Sequence, residues 1–157
     1  MKKTVLTLVI LINLFLSISQ EVTNEYQNLF NIAYAQHQQI PKGMLEAVSF
    51  TQTHFKHIQS SELEGCSGIP LVSGVMGLTD DGKGYFRSNL SFVANLSGYS
   101  KQTIKNDPLT NILSYASAYA YLMDSLNIET QEINRHDLIL KSLSEIPWDH
   151  NVGNNYA

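Results

Sequence analysis

The chain has 157 residues, a formal net charge of −4, charged side chains at only 15% of positions and one cysteine. An acidic chain carries no electrostatic footprint for nucleic acid and is not drawn by charge to an anionic membrane or wall. One cysteine excludes an internal disulfide, so stability has to come from a core, and the length suits one domain of ordinary size.

Lys2 and Lys3 open a mostly apolar run from Val5 to Leu16, broken only by Thr7 and Asn13, and Ser17-Ile18-Ser19 precede Gln20. A basic start, a short apolar stretch and small residues before a cleavage point predict a signal peptide over 1–19. Cleavage leaves a helical domain over 20–157 at charge −6, secreted or periplasmic, with no membrane contact afterwards. The run falls short of the ~20 apolar residues a spanning helix needs. An uncleaved anchor is the alternative. No cysteine follows the run, which speaks against a lipoprotein anchor.

In "NEYQNLFNIAYAQH", residues 24–37, the residues Tyr26, Leu29, Phe30, Ala33 and His37 share one helical face, with Asn24 as N-cap. "QQIPKG" breaks the pattern, and Pro41 opens a second helix running to about His57. Met44, Leu45, Val48, Gln52 and Phe55 recur there at three and four, which places the Gln52 amide on the stripe that faces the core. "QSSELEGCSGIPLVSG" reads as loop, and "GVMGLTDDGKG" as an irregular Gly-rich segment or short hairpin. A third helix spans about Ser88 to Leu96 and stops at Gly98. "SKQTIKN" is a short helical turn. "DPLTNILSYASAYAYLMDSLNI" is the clearest helix, with Asp107 as cap, Pro108 in the first position and a wide apolar face from Leu109 to Met123. A last helix spans about Asn134 to Leu143. The fold class is mainly α with a Gly-rich loop or short hairpin insert. The tail "IPWDHNVGNNYA" ends without a charged or low-complexity fade-out, so a truncated C-terminal end and a continuation are expected.

His54 and His57 have helical metal spacing, but no third ligand stands near in sequence, and His136 and His150 are far along. They read as surface histidines, and neither a metal nor a cofactor is expected. Cys66, in a loop, reads as a tolerated thiol. Tyr115, Tyr119 and Tyr121 suit either a sugar groove or, for Tyr115 and Tyr119, helix packing. Asn89 and Asn95 begin "NLS" sequons, which matter only in a eukaryotic secretory route.

"IPKGMLEAVSFTQTHF", "GVMGL" and "DPLTNILSYASAYAYL" resemble, in this order over residues 40–122, three stretches of the lysozyme-like lytic transglycosylase domain. They correspond to its Glu-Ser helix, its Gly-Leu-Met-Gln-Leu loop and its Asp-Pro-x-x-Asn-Ile helix. A closer resemblance is to the helical N-terminal module of secreted N-acetylmuramoyl-L-alanine amidases, whose "PxGxLxAVSF" and "GVMxLTD" text this chain shares. The resemblance implies a lysozyme-like fold and peptidoglycan glycan strands as partner, with an amidase domain downstream.

The resemblance carries the catalytic Glu onto Gln52, its Ser onto Thr53 and its aromatic onto Phe55. An amide has a carboxyl's shape but no proton to give, and acid–base catalysis is typically worth ~10²–10⁴-fold. No catalytic residue is therefore expected. Asp80 and Asp81 after the loop are the substitutes to consider, along with Glu62 and Glu64. Glu46, six residues before Gln52 and about 240° round the helix, faces away. The glycan-binding residues implied are Gln52, Thr53, Met76, Gly77, Leu78, Tyr115 and Tyr119. The family's Ala-Tyr-Asn-x-Gly stretch has no match here, which also argues against turnover. The expected function is an exported peptidoglycan-recognising module without cleavage of its own. The alternatives are an active lytic transglycosylase or muramidase with a relocated acid, and a structural prodomain without ligand. In the plainest alternative, Gln52 simply bonds a buried backbone group.

Overall fold

The computed structural model describes residues 24–59, 71–80 and 88–145. The expected leader over 1–19 lies outside the described residues, as do Glu62, Glu64, Cys66, Asp81, His150 and the tail from 146. Within them the chain is mainly helical. Its helices are α1 (Gln27–Gln36), α2 (Met44–Thr53), α3 (Asn89–Ser97), α4 (Lys101–Asn106), α5 (Pro108–Leu126) and α6 (His136–Ser144). A 3-10 turn, Ile133–Arg135, leads into α6, and a two-stranded antiparallel hairpin pairs β1 (Val72–Ser73) with β2 (Leu78–Thr79). Among the described residues no helix is long and apolar enough to cross a membrane.

α5 is the axis. Its start follows the reading from sequence: the Asp107 carboxylate accepts from Thr110 N at 2.7 Å, and Pro108 takes a position whose N–H has no helical partner. Residues Asn111–Ala116 are all buried, as are Ala118–Ala120, Leu122 and Met123, so the helix is enclosed on nearly every side. α1, α3, α4 and α6 pack around it. Phe30, Leu45, Leu90, Ile104, Ile112, Met123 and Ile139 fill the core, each worth roughly 1.5–3 kcal/mol of transfer free energy.

Two boundaries move inward from the sequence reading, each for a backbone reason. Gly43, at φ 88°, turns the chain left-handed, so α2 begins at Met44 rather than Pro41. At the other end His54 and Phe55 both adopt positive φ, 54° and 59°, which ends α2 at Thr53. Asn24 acts one turn before α1, where its side chain accepts from Tyr26 N, and the helix cap itself falls on Tyr26. The hairpin starts earlier than expected, inside the stretch read as loop, with Val72 opposite Thr79 and Ser73 opposite Leu78.

The larger correction concerns the rotation of α2. Its buried residues are Leu45, Ser49 and Thr53, whereas Gln52 is exposed. The buried stripe carries hydroxyls because it docks on backbone. Ser49 Oγ donates to Val75 O at 3.1 Å, and Thr53 Oγ1 lies 2.7 Å from the same oxygen and 2.9 Å from Ser49 O. α2 is thus anchored to the turn of the hairpin, a contact that hydrophobic periodicity does not see.

Candidate functional site

The turn Gly74-Val75-Met76-Gly77 is clamped from two sides. α2 holds the Val75 carbonyl, as above. From α5, Asn111 Oδ1 accepts from Met76 N at 2.7 Å while Asn111 Nδ2 donates to Ile104 O at 3.0 Å. Asn111 is fully buried, so its amide satisfies two backbone groups that water cannot reach. Gly74 sits against that amide so closely that an added Cβ would lie 2.0 Å from Asn111 Nδ2. Gly77, at φ 65°, meets α2 in the same way: an added Cβ would lie 2.5 Å from Gln52 Cβ. β2 is fixed in turn by Asn89 at the start of α3, whose Oδ1 accepts from Thr79 N at 2.7 Å and lies 3.0 Å from Thr79 Oγ1. This holds the first sequon asparagine inside the fold.

The clamp builds one wall of a cleft of about 240 Å³. Met76 and Gly77 face Met44, Ala47, Val48, Thr51 and Gln52 of α2. Tyr115 of α5 and Asn89 of α3 line it too, and Leu140, Leu143 and Ser144 of α6 complete it. The wall is largely aliphatic, and no carboxylate is among these lining residues. The Thr51 and Ser144 hydroxyls already have acceptors: Thr51 Oγ1 donates to Ala47 O at 2.7 Å, and Ser144 Oγ to Lys141 O at 2.8 Å. The Gln52 amide is different. It is exposed, it lines the cleft, and it makes no hydrogen bond with any described residue. The plain alternative, in which Gln52 satisfies a buried backbone group, does not describe it.

Of the residues expected to bind glycan, the cleft brings together Gln52, Met76, Gly77 and Tyr115. Thr53 does not reach it, because its hydroxyl is spent on Val75 and Ser49 inside the fold. Leu78 lies in the core. Tyr119 is fully buried, and its hydroxyl is 2.7 Å from His136 Nδ1. His136 Nε2 faces the Glu129 carbonyl at 3.2 Å, so Nε2 carries the proton and Nδ1 accepts from Tyr119. Burial holds that phenol far above its ordinary range. Tyr121 is exposed and off the cleft.

Asp80, considered as a substitute acid, bonds Lys101 Nζ at 2.8 Å and does not line the cleft. Among the described residues no three His, Cys, Asp or Glu side chains converge in a way that would hold a metal. His54 is exposed, and its ring is tilted 52° against that of Phe50, with ring centroids 5.2 Å apart. His57 departs from the surface reading: both of its ring nitrogens are buried and have no hydrogen-bond partner among the described residues.

Several residues that shape the cleft carry no such reading from sequence: Ser49, Asn111 and Asn89 (noted there only as a sequon) as its struts, and Thr51, Leu140, Leu143 and Ser144 in its lining. Asn111 had a legible signal, an amide in the middle of an apolar helical stripe, since a buried amide must be bonded. The α6 residues had none, because their approach to α2 is set by tertiary packing alone. No family model, no curated protein and no solved structure matches the chain.

Proposed function

We propose that the chain is an exported lysozyme-like module that binds peptidoglycan glycan strands without cutting them, and so presents an attached N-acetylmuramoyl-L-alanine amidase to its substrate. The observation that carries the reading is the Gln52 amide: exposed, unpartnered among the described residues, and set into an aliphatic cleft. An N-acetylated sugar suits such a lining. Its methyl group and ring CH face meet Val48, Met76 and Leu140, while its amide finds both a donor and an acceptor in Gln52. The lysozyme-like arrangement is supported by the three stretches that carry the resemblance. They meet in space, the Gly74–Leu78 turn lying between the Gln52 helix and the Asn111 helix. Export is supported by the leader pattern of residues 1–19.

The test is incubation with purified sacculi, following both pull-down and release of soluble muropeptides. The reading expects retention on sacculi, no release above background, and loss of retention in Gln52→Ala. Release that survives Gln52→Ala and disappears with Asp80→Asn or Asp81→Asn would replace it with the relocated-acid enzyme. Neither retention nor release would leave the structural prodomain.

A further inference from the structure

A second groove, of about 630 Å³, lies between α1 and the start of α2, on a face of α2 other than the one that carries Gln52. It is lined by Asn31, Tyr34, Gln38, Lys42 and Glu46, with Gln27 at its edge and Ile40 in its floor. That volume is in the range of pockets that hold small ligands, roughly 300–1,000 Å³.

Its carboxylate is built in. Tyr34, more than nine-tenths buried, donates to Glu46 Oε2 at 2.5 Å and accepts from Leu45 N at 3.1 Å. Gln27 Nε2 donates to Glu46 Oε1 at 3.0 Å. Both carboxylate oxygens are therefore fixed in direction, and both by neutral donors, so the negative charge has no counter-charge among the described residues. Lys42 lines the same groove with a full positive charge and makes no ion pair or hydrogen bond with any described residue. The two stand four positions apart, the spacing at which helical partners pair. Gly43, at φ 88°, breaks the helical phase between them and keeps Lys42 off the turn where it would close on Glu46. Asn31 and Gln38 add amide groups to the lining, and those of Gln38 are uncommitted among the described residues.

We infer that this groove is a binding site for a small zwitterion with a peptide character, an amino acid or a short peptide with both ends free. Its ammonium lies on Glu46, its carboxylate on Lys42, and its amide groups meet Asn31 and Gln38. Opposite charges held apart in one cavity complement a ligand whose own dipole runs the other way. A rigid, pre-bonded carboxylate costs little to orient when that ligand arrives. The site stands apart from the glycan cleft and does not depend on what that cleft binds.

The test is a titration of the full ¹⁵N-labelled chain with trialanine to about 10 mM, an excess that reveals millimolar binding. N-acetyl-trialanine and trialanine amide are run in parallel. Saturable shifts at the backbone amides of Tyr34, Lys42 and Glu46 are expected with trialanine, and affinity should fall about tenfold or more when either end is capped, since each cap removes a charge-assisted hydrogen bond. Glu46→Gln keeps the shape and the acceptor for Tyr34. It should weaken trialanine to the level of the N-acetylated probe and leave that probe's own affinity unchanged. Lys42→Met, at an exposed position, should do the same for the amidated probe. No saturable shift at the top concentration, or equal affinity for all three probes, overturns the assignment. Should Glu46→Gln fail to fold, Lys42→Met and the capped probes decide alone.

Discussion

Replacing Asn111 by Ala removes the side-chain amide that hydrogen-bonds the Gly74–Gly77 turn to α5. Two backbone groups lose their partners: the Met76 N–H, 2.7 Å from Asn111 Oδ1, and the Ile104 carbonyl, 3.0 Å from Nδ2. The site is fully buried, so each orphaned group costs about 1–3 kcal/mol, which together makes about 2–6 kcal/mol. The low end applies if water enters the space left by the amide, the high end if it stays dry. Even the low end is a large share of a domain's usual stability, about 5–15 kcal/mol. Urea unfolding followed by far-UV circular dichroism measures the change, with an unchanged m-value showing that both states are comparable. Asn111→Asp sharpens the reasoning: it keeps an acceptor for Met76 N but turns an oxygen toward Ile104 O, so it should cost at least as much as Ala. Amide exchange at Met76 should quicken in both variants. A loss under about 1 kcal/mol in Asn111→Ala, with Met76 still protected, would refute the idea that this amide holds the turn.

Gly77→Ala places a Cβ 2.5 Å from Gln52 Cβ at a positive φ, and should cost about 1–3 kcal/mol in the same unfolding assay while weakening retention on sacculi. Tyr119→Phe leaves the buried Nδ1 of His136 without its donor, for about 1–3 kcal/mol, with no effect on sacculus binding. Burial holds the His37 imidazole below its ordinary value, so the unfolded chain takes up that proton first. The stability this group contributes is complete above about pH 6.5 and is lost as pH falls below it, a slope that His37→Gln should remove. Gln52→Glu puts a carboxyl at an exposed position, where its ordinary pKa of about 4.3 leaves roughly one molecule in 500 protonated at pH 7. Muropeptide release by that variant should be weak at most and rise toward acid pH, and strong lysis at neutral pH would show a cleft otherwise complete.

The helices were legible wherever local chemistry decides them. Asp107-Pro108 announces α5, Gly98 ends α3, and Ser100 caps α4 by accepting from Thr103 N at 3.1 Å. What stayed hidden was α2, the helix the functional argument needs most. Its apolar residues suggest a stripe through Val48 and Gln52, yet the interior is reached by Ser49 and Thr53. Periodicity assumes that a helix packs on side chains. α2 packs on a carbonyl, and a carbonyl selects hydroxyls. The same reason puts Thr53, which the resemblance places in the cleft, into the frame instead. The cleft itself was half legible: the turn carrying Met76 and Gly77 stood out as Gly-rich text, whereas Leu140, Leu143 and Ser144 arrive from the far end of the chain.

Three sets of residues on α2 have separate duties, and this makes the proposals separable. Ser49 and Thr53 hold the turn, Gln52 faces the cleft, and Glu46 faces the second groove, with Tyr34 and Gln27 holding its oxygens. Because the Gln52 amide bonds to no described residue, the fold does not use it, and the Gln52 atom nearest to where a Gly77 side chain would start is its own Cβ. Ala keeps that Cβ. Gln52→Ala should therefore unfold at the same urea concentration as the parent, so that lost retention on sacculi in this variant reports on a ligand and not on a damaged helix. The same logic protects the second groove: a ligand effect of Glu46→Gln that leaves sacculus retention intact cannot be routed through Gln52.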